Sequence, residues 1–519
     1  MKKAIYLIIA LIGLSAPSCS DSMLDFSPTD SGSGKELLKS ASTAITSVNG
    51  VYRSMWTAGW STTANTHQCF GIAAYNLALD CMADDLIMQS QGNGWFWGDH
   101  CYNVKSNYTS SAFRSYDVWY ANYKWIANVN YIIDAEPEMA GTEADVAYVA
   151  GQAYAIRALC YLNLATWFSR APYNSLTGAS RWNEPCVPVY TTGASIDTGG
   201  QPRESLRTVY GRIDQDIDRA IELLEKARET TLAENNKSHI NLYVALGIKS
   251  RACLAEGDWD GAFKAAKRVI DEGGYAVGTK SDLTGGMNSL DKQNVMWGAG
   301  IQVADQAGGY AGFFTHMDNK EGAYAKSAPK LISKQLYNRI SATDIRRDWW
   351  DPSDKESPYV SKKFSFANMA SFLGDYIYMR VEEMYFTAAE AALRLDDLKS
   401  ARELMNTVMA ERDPGYSANN RSGTLLGATT TTWTGSFLEN ILTHRRIELW
   451  GEYGRLFDVR RLGQGIDRRT DDGFSEECIS MMNRRNVNIT KADTYDWVLT
   501  IPKAELDANP NINEEDQNP

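Results

Sequence analysis

"YVALGIKSRACLAEGDWDGAFKAAKRVIDEGGY", residues 243–275, carries the clearest structural signal in this chain. Small and apolar residues recur in it at helical spacing, stop at Gly257-Asp258 and then resume. The second run ends at Gly273-Gly274, a typical stop signal for a helix. The pattern predicts two helices joined by a tight turn, the second lined by Ala262, Ala266 and Val269.

The segment "YFTAAEAALRLDDLKSARELMNTVMAERDPGY", residues 385–416, repeats this pattern around a turn at Asp396-Asp397. Both segments resemble the helix–turn–helix unit of tetratricopeptide repeats, in which small residues let two helices approach closely. A third helical run, at 146–168, is predicted to pair with a fourth at 209–227. These patterns indicate a mostly α-helical fold.

The helical units are not in tandem, because Ala262 and Ala401 occupy equivalent positions yet lie 139 residues apart. We expect the helix pairs to stack in space with long insertions between them. The longest insertion runs from about 277 to 375, is rich in Gly, Asn and aromatic residues, and lacks helical periodicity. Loops carried on a rigid frame often hold binding sites, so this insertion is a candidate binding region.

The N-terminus has the features of an export signal. Lys2 and Lys3 precede an uncharged run, Ala4–Leu14, that is shorter than the ~20 residues needed to cross a bilayer. Small residues then lead to Cys19, as in a bacterial lipoprotein signal, so residues 1–18 are predicted to be removed and Cys19 to carry lipid. The alternative is an ordinary secretory signal. No later segment is long and apolar enough to span a membrane.

The composition excludes some function classes. The formal net charge is −12, and it becomes −14 once Lys2 and Lys3 are removed, so the chain has no electrostatic footprint for nucleic acid. It contains 27 Tyr, 15 Trp and 15 Phe, enough to fill a core and still supply an exposed recognition surface. No cofactor motif is present, and the absence of CxxC argues against zinc.

Seven cysteines remain after Cys19, an odd number, so at least one is expected to be free unless it pairs between chains. Cys160 and Cys253 lie in helical patterns, where a free thiol packs as a small apolar side chain. Cys69, Cys81 and Cys101 cluster in one loop-rich region. Export would permit a disulfide among these three, and the sequence leaves open whether one forms.

The loop "QGNGWFWGDHCYN", residues 91–103, is the first candidate binding site. A sugar ring presents C–H bonds that stack on an aromatic plane, and its hydroxyls need amide or carboxylate partners. Alternation in an extended segment predicts that Trp95 and Trp97 share a face while Phe96 packs inward. Asn93 and Asp99 would supply hydrogen bonds. The alternative is a loop whose tryptophans pack into the core.

A second candidate is "DQAGGYAGFFTHMDN", residues 305–319, with Tyr310 and Phe313 in a Gly-rich setting inside the insertion. The aromatic cluster "RRDWWDP", residues 346–352, is interpreted as structural, as are the charged helical motifs. We expect these charges to form ion pairs that tie helices together: Arg380, Glu383, Glu390, Arg445, Glu448, Glu452 and Arg455.

Enzyme chemistry is not indicated. An all-helical glycoside hydrolase would need two carboxylates flanking the scissile bond, and no short motif singles out such a pair. The five histidines form no HExxH motif, and neither a GxSxG elbow nor a GxxxxGK[ST] phosphate loop occurs.

Several landmarks resemble the SusD/RagB-like family of outer-membrane lipoproteins. They occur in the family's order, as "CSDSMLDFSPTD", "GQAYAIRALCYLNLATWF", "YIYMRVEEMYFTAAEAALR", "HRRIELWGEYGRLFDVRRLG" and the C-terminal "TIPKAELDANPNINEEDQNP". Departures are Gln152 for the usual Glu, Ser169-Arg170 for the usual Phe-Gly, and an imperfect lipoprotein signal. We therefore expect residues 19–519 to form one SusD-like domain.

The resemblance implies four tetratricopeptide-like helix pairs and a non-enzymatic role. The family member would be a cell-surface lipoprotein of the outer membrane that captures oligosaccharides for a SusC-like, TonB-dependent transporter. The family also contains peptide-gathering members, so peptide capture is an alternative, and an all-helical glycoside hydrolase is a second. Nothing in the sequence decides which glycan is bound, or whether calcium is present.

Overall fold

The structure is a computed structural model that describes most of the chain after the predicted signal. The described residues are 34–57, 66–102, 113–195, 197–233, 237–303, 311–492 and 494–519. Cys19 and Tyr310 lie outside them, so the predictions made for these two residues stay predictions.

Helices dominate the described residues, which confirms the predicted fold class. In chain order they are α1 (Gly34–Leu37), α2 (Ala41–Ser54), α3 (Ile72–Met82), α4 (Trp97–His100), α5 (Phe113–Ala135), α6 (Glu143–Phe168), α7 (Leu206–Lys226), α8 (Leu242–Glu256), α9 (Trp259–Glu272), α10 (Lys280–Thr284), α11 (Phe313–Met317), α12 (Ala323–Ser327), α13 (Lys334–Tyr337), α14 (Val381–Arg394), α15 (Leu398–Ala410), α16 (Phe437–Glu448), α17 (Arg455–Leu462), α18 (Glu476–Arg484) and α19 (Lys503–Ala508).

The segment 243–275 forms the predicted pair, α8 and α9. Gly257 ends α8 with φ of 78°, and a Cβ there would lie 2.5 Å from the Tyr173 ring, so both conformation and space favour glycine. Asp258 then caps α9 by accepting a hydrogen bond from the Gly261 N–H at 3.0 Å. Two local signals thus set the turn.

The other predicted helix pairs also form. Asp397 caps α15 by accepting from the Ser400 N–H at 3.0 Å, so α14 and α15 make a second helix–turn–helix unit. Helices α6 and α7 pack closely, because a Cβ at Gly151 of α6 would lie 2.9 Å from Leu224 of α7. The pairing of these helices is confirmed, and their likeness to tetratricopeptide repeats stays a prediction.

The described strands are short and antiparallel. They are β1 (Leu86–Met88), β2 (Val295–Ala299), β3 (Lys330–Ile332), β4 (Trp350–Asp351), β5 (Val360–Ser361) and β6 (Tyr376–Arg380). One sheet has the order β1-β3-β5-β4, with Leu86 opposite Ile332, and a second pairs β2 with β6. The insertion therefore contributes β2 to β5 and short helices, and β1 fastens it to the N-terminal region.

Buried ion pairs join these parts, which confirms the interpretation of the charged motifs. The two glutamates of α14 pair with arginines on other helices: Glu383 with Arg251 of α8 at 2.7 Å, and Glu390 with Arg461 of α17 at 2.8 Å. The largest group, here called the Glu448 network, consists of Asp344, Arg346, Lys363, Arg380, Glu382, Arg412, Glu448 and Glu452.

All seven cysteines after Cys19 are described and buried, and none of them forms a disulfide bond with another. The possible disulfide among Cys69, Cys81 and Cys101 is therefore not present in the structure. Trp349 and Trp350 of "RRDWWDP" are also buried, as a structural cluster requires.

Candidate functional site

The loop that carries Trp95 is held in a fixed shape by its glycines. Gly92 has φ of 52° and lies so close to the insertion that a Cβ would be 2.5 Å from the Ser327 carbonyl oxygen. Gly94 has φ of 90°. Only glycine combines a positive φ with so close an approach to another backbone without strain, so the loop can pack directly against the end of α12.

Trp95 is the outer member of an aromatic group drawn from three parts of the chain. Its ring stacks on His67, with centroids 5.0 Å apart and planes 21° from parallel. Tyr324 of α12 meets the His67 ring edge-on at 5.4 Å and lies 6.1 Å from the Trp95 ring. Tyr324 is buried whereas Trp95 and His67 are half-buried, so the group reaches the surface at Trp95.

Hydrogen bonds fix the His67 support. The Tyr324 hydroxyl lies 2.5 Å from His67 Nδ1, and His316 Nε2 lies 2.6 Å from the His67 carbonyl oxygen. A carbonyl only accepts, so the proton of His316 resides on Nε2. Burial, together with the charge of Lys330, lowers the pKa of His316 well below its usual range, so this imidazole stays neutral.

The support continues inward from His316 to the core. Phe70 stacks on His316 with centroids 5.6 Å apart, and Phe96 meets it edge-on at 5.0 Å. Trp95 therefore sits at the end of a rigid aromatic column. A ring held this way loses little conformational freedom when a ligand stacks on it.

Two residues predicted beside Trp95 are buried. Trp97 is 3% exposed, so the prediction that it shares an outward face with Trp95 is wrong. The physical reason is that Phe96 adopts a left-handed conformation with φ of 61° and α4 begins at Trp97, so strand-like alternation does not apply. The inward packing predicted for Phe96 is confirmed, since it is 0% exposed.

Asp99 is also removed from any ligand in this structure. Both of its carboxylate oxygens accept hydrogen bonds from Arg114, at 2.9 and 3.1 Å, and the pair is buried. This geometry marks a structural salt bridge that attaches α4 to α5. Asn93, in contrast, is exposed next to Trp95, and its side-chain oxygen accepts the Trp95 backbone N–H at 3.5 Å.

In the insertion, Phe313 is 8% exposed and Phe314 is 2% exposed. Both belong to α11, and the Phe313 ring packs edge-on against Phe364 at 5.1 Å. Phe313 is therefore a core residue here, because it lies on a helix that packs against the core where a loop was expected. Of the six predicted ligand-binding residues, the structure leaves Trp95 and Asn93 at the surface, buries Trp97, Asp99 and Phe313, and does not describe Tyr310.

A polar cavity of about 730 Å³ lies in the insertion on the side of α12 that carries Lys326. Its lining combines charged side chains such as Asp354 with the Asn319 amide and two aromatic rings, Phe364 and Phe366. Helix α12 thus carries Tyr324 toward Trp95 and Lys326 toward this cavity. Within the described ranges, no group of His, Cys, Asp and Glu side chains has the arrangement of a metal site.

His67 and Tyr324 were missed by sequence reasoning. They are 257 residues apart, and neither belongs to a motif. Only the aromatic cluster around Trp95 offered a signal that some partner ring must support it.

The comparisons with known proteins agree with this architecture. A sequence model described as the SusD family matches residues 320–519, and one described as "Starch-binding associating with outer membrane" matches residues 43–254. No curated protein matches the chain. In the described residues, no helix has the length and hydrophobicity required to cross a membrane.

Solved structures share the fold. A SusD-like carbohydrate binding protein from Bacteroides vulgatus matches with a TM-score of 0.73 and 24% identity, covering 92% of this chain and 98% of its own. A SusD superfamily protein from Bacteroides thetaiotaomicron matches with a TM-score of 0.71 and 21% identity, covering 92% of this chain and 100% of its own. Surface glycan-binding protein A from Bacteroides thetaiotaomicron, solved with laminarihexaose, matches with a TM-score of 0.64 and 16% identity, covering 92% of this chain and 99% of its own. With the two sequence models spread over both halves and the fold shared end to end, the chain belongs to the SusD/RagB-like family.

Proposed function

We propose that this protein is a non-enzymatic, cell-surface lipoprotein that captures oligosaccharides and passes them to a SusC-like, TonB-dependent transporter. Residues 1–18 are its signal, Cys19 is its lipid anchor in the outer membrane, and residues 19–519 form one domain with the insertion at about 277–375. The observation that carries the proposal is the half-buried Trp95 ring, supported from beneath by His67.

The chemistry of the Trp95 site suits a sugar. An indole is the largest aromatic surface available to the C–H face of a pyranose, and the exposed Asn93 amide offers both a donor and an acceptor to hydroxyls. The family description as starch-binding and the glycan-bound structural neighbour support the same ligand class.

Catalysis has no support in the buried carboxylates. Glu383, Glu390 and Glu448 are each held by arginine in the core, away from solvent. Release of reducing sugar ends by the purified chain would overturn the non-enzymatic assignment.

Calorimetric titration tests the proposal. The ligands are maltohexaose, laminarihexaose, cellohexaose, xylohexaose and mannohexaose, with a mixture of oligopeptides as the competing class. We expect one or more oligosaccharides to bind, and Trp95→Ala to weaken that binding about tenfold or more, since truncating an aromatic anchor of a binding site typically costs about 2 kcal/mol or more.

The matched control is Trp259→Ala, which removes a half-buried indole that packs under Arg394 in the helical frame. It should leave affinity unchanged, and Trp95→Phe should keep part of it. Equal binding by Trp95→Ala and Trp259→Ala would show that the Trp95 site is structural. Binding of oligopeptides alone would replace glycan capture by peptide capture.

A further inference from the structure

A second aromatic cavity lies between α5, residues 190–194 with Thr198, and α19; we call it the α5 groove. Its volume is about 420 Å³, within the roughly 300–1,000 Å³ typical of small-ligand sites. It shares no residue with the Trp95 site. The lining residues used below are Trp119, Tyr120, Tyr123, Lys124, Tyr190 and Glu505.

Four aromatic rings form the walls of the groove. Trp119 and Tyr123 are one helical turn apart on α5, with centroids 4.9 Å apart. Tyr190 faces them from the opposite segment and meets Tyr123 edge-on at 5.8 Å. Tyr120, Tyr123 and Tyr190 are all half-buried and line the groove, so part of each ring surface is accessible from it.

The polar atoms of three of these rings are already hydrogen-bonded within the protein. Trp119 Nε1 donates to Glu505 at 3.2 Å, and the Tyr123 hydroxyl donates to the Pro188 carbonyl at 2.8 Å. The Tyr190 hydroxyl accepts the Gln201 N–H at 3.0 Å. These hydrogen bonds hold the rings in place. A ligand would therefore meet mainly the fixed faces of the rings, and fewer unpaired hydrogen-bonding groups.

The opposite wall is fixed as well. The buried Asn130 side chain donates to the carbonyls of Tyr190 and Thr192, at 3.2 and 3.0 Å, and therefore attaches residues 190–192 to α5. A groove whose two walls are bonded together keeps its width without a ligand, which is the condition for a preformed site.

The charges of the groove balance. Among its lining residues, Lys124 contributes one positive and Glu505 one negative charge. Neither a phosphate nor a uronic acid would find a net opposite charge. The rim instead carries the exposed Thr192 and Thr198, and each Glu505 oxygen can accept a further bond, so partners exist for hydroxyl groups.

We propose that the α5 groove is a second carbohydrate-binding site, which takes a short segment of a neutral oligosaccharide. The inference rests on the proposed function, because the ligand class is the same. Its own support is the preformed cavity, the four rings and the balanced charge. A chain with two separated aromatic sites would hold one long glycan at two places, or two glycans at once.

The test fills the groove without removing any of its contacts. Ala194 is exposed on the rim, so Ala194→Trp places an indole in the cavity, and Ala194→Ser is the matched control that leaves it open. Each variant of the full chain is titrated calorimetrically with the same five hexasaccharides, and thermal unfolding confirms that it folds. Crystals soaked in the ligand that binds provide an independent readout.

We expect Ala194→Trp to lower the stoichiometry from two ligands to one, or the affinity by at least about fivefold, while Ala194→Ser matches the wild type. If Ala194→Trp binds like the wild type and Trp95→Ala abolishes binding, the groove is not a site, although the proposed function stands. If Ala194→Trp weakens binding and Trp95→Ala does not, the groove is the principal site. Failure of every hexasaccharide to bind the wild type would overturn both proposals.

Discussion

Glu448 is the residue whose loss should damage this fold most directly. Its buried carboxylate accepts hydrogen bonds from three arginines, at 3.0 Å from Arg346, 2.9 Å from Arg380 and twice 2.9 Å from Arg412. Burial alone would raise the pKa of Glu448, but the guanidinium groups of Arg412 and Arg380 hold it well below its usual range. The carboxylate is therefore ionised throughout the neutral pH range.

The consequence of Glu448→Gln follows from the charges of the Glu448 network. The wild-type network contains four basic and four acidic side chains. Glutamine has almost the same shape but no charge, and its amide nitrogen cannot accept from an arginine. One buried positive charge is left uncompensated, a defect that costs about 3–5 kcal/mol of folding free energy.

The assay is urea unfolding at pH 7 followed by circular dichroism. The matched control is Glu272→Gln, which removes an exposed partner of Arg268 on α9 and should change stability by less than about 0.5 kcal/mol. Burial lowers the pKa of Lys363 to about 8, so this lysine can release its proton and relieve the excess charge. The penalty should therefore shrink at pH 9. Equal free energies of unfolding for the two variants would refute the reasoning.

Two other predictions concern pH and anchoring. Burial raises the pKa of Asp80 to about 8, so the folded protein keeps a proton there that the unfolded chain releases near pH 4, and wild-type stability falls as pH rises between these values. The free energy of unfolding of Asp80→Asn should therefore rise relative to that of the wild type by up to about 1.4 kcal/mol per pH unit over that range. Urea unfolding at pH 5, 6.5 and 8 measures this difference, and a difference that does not change with pH would contradict the prediction. Cys19→Ser in the full chain should abolish incorporation of labelled palmitate and release the protein from the outer-membrane fraction, whereas continued labelling would exclude Cys19 as the anchor.

Local signals predicted the helical frame correctly. Gly257, Asp258 and Asp397 act on residues within one turn of themselves, so their effect on the chain can be recognised without knowing the rest of the fold. Helical periodicity is equally local, which is why the pairs α8–α9 and α14–α15 have the predicted turns. The family resemblance rests on the same kind of short, ordered motif.

Partner choice was predicted less well. The charged motifs were correctly interpreted as ion pairs that tie helices together, but the sequence did not tell which charges would meet, such as Arg380 with Glu448 across 68 residues. A buried charge takes whichever opposite charge the packing brings to it, and spacing along the chain carries no information about that.

The sequence by itself determined the helical scaffold, the acidic composition and the presence of aromatic-rich segments. Only the tertiary structure decided which rings face water. Trp95 and Trp97 are two residues apart, but because Phe96 has a left-handed conformation the half-buried Trp95 stacks on His67 while Trp97 packs into the core. The α5 groove likewise arises from three distant segments. Exposure depends on what packs from elsewhere in the chain, so residue type and local spacing alone do not determine it.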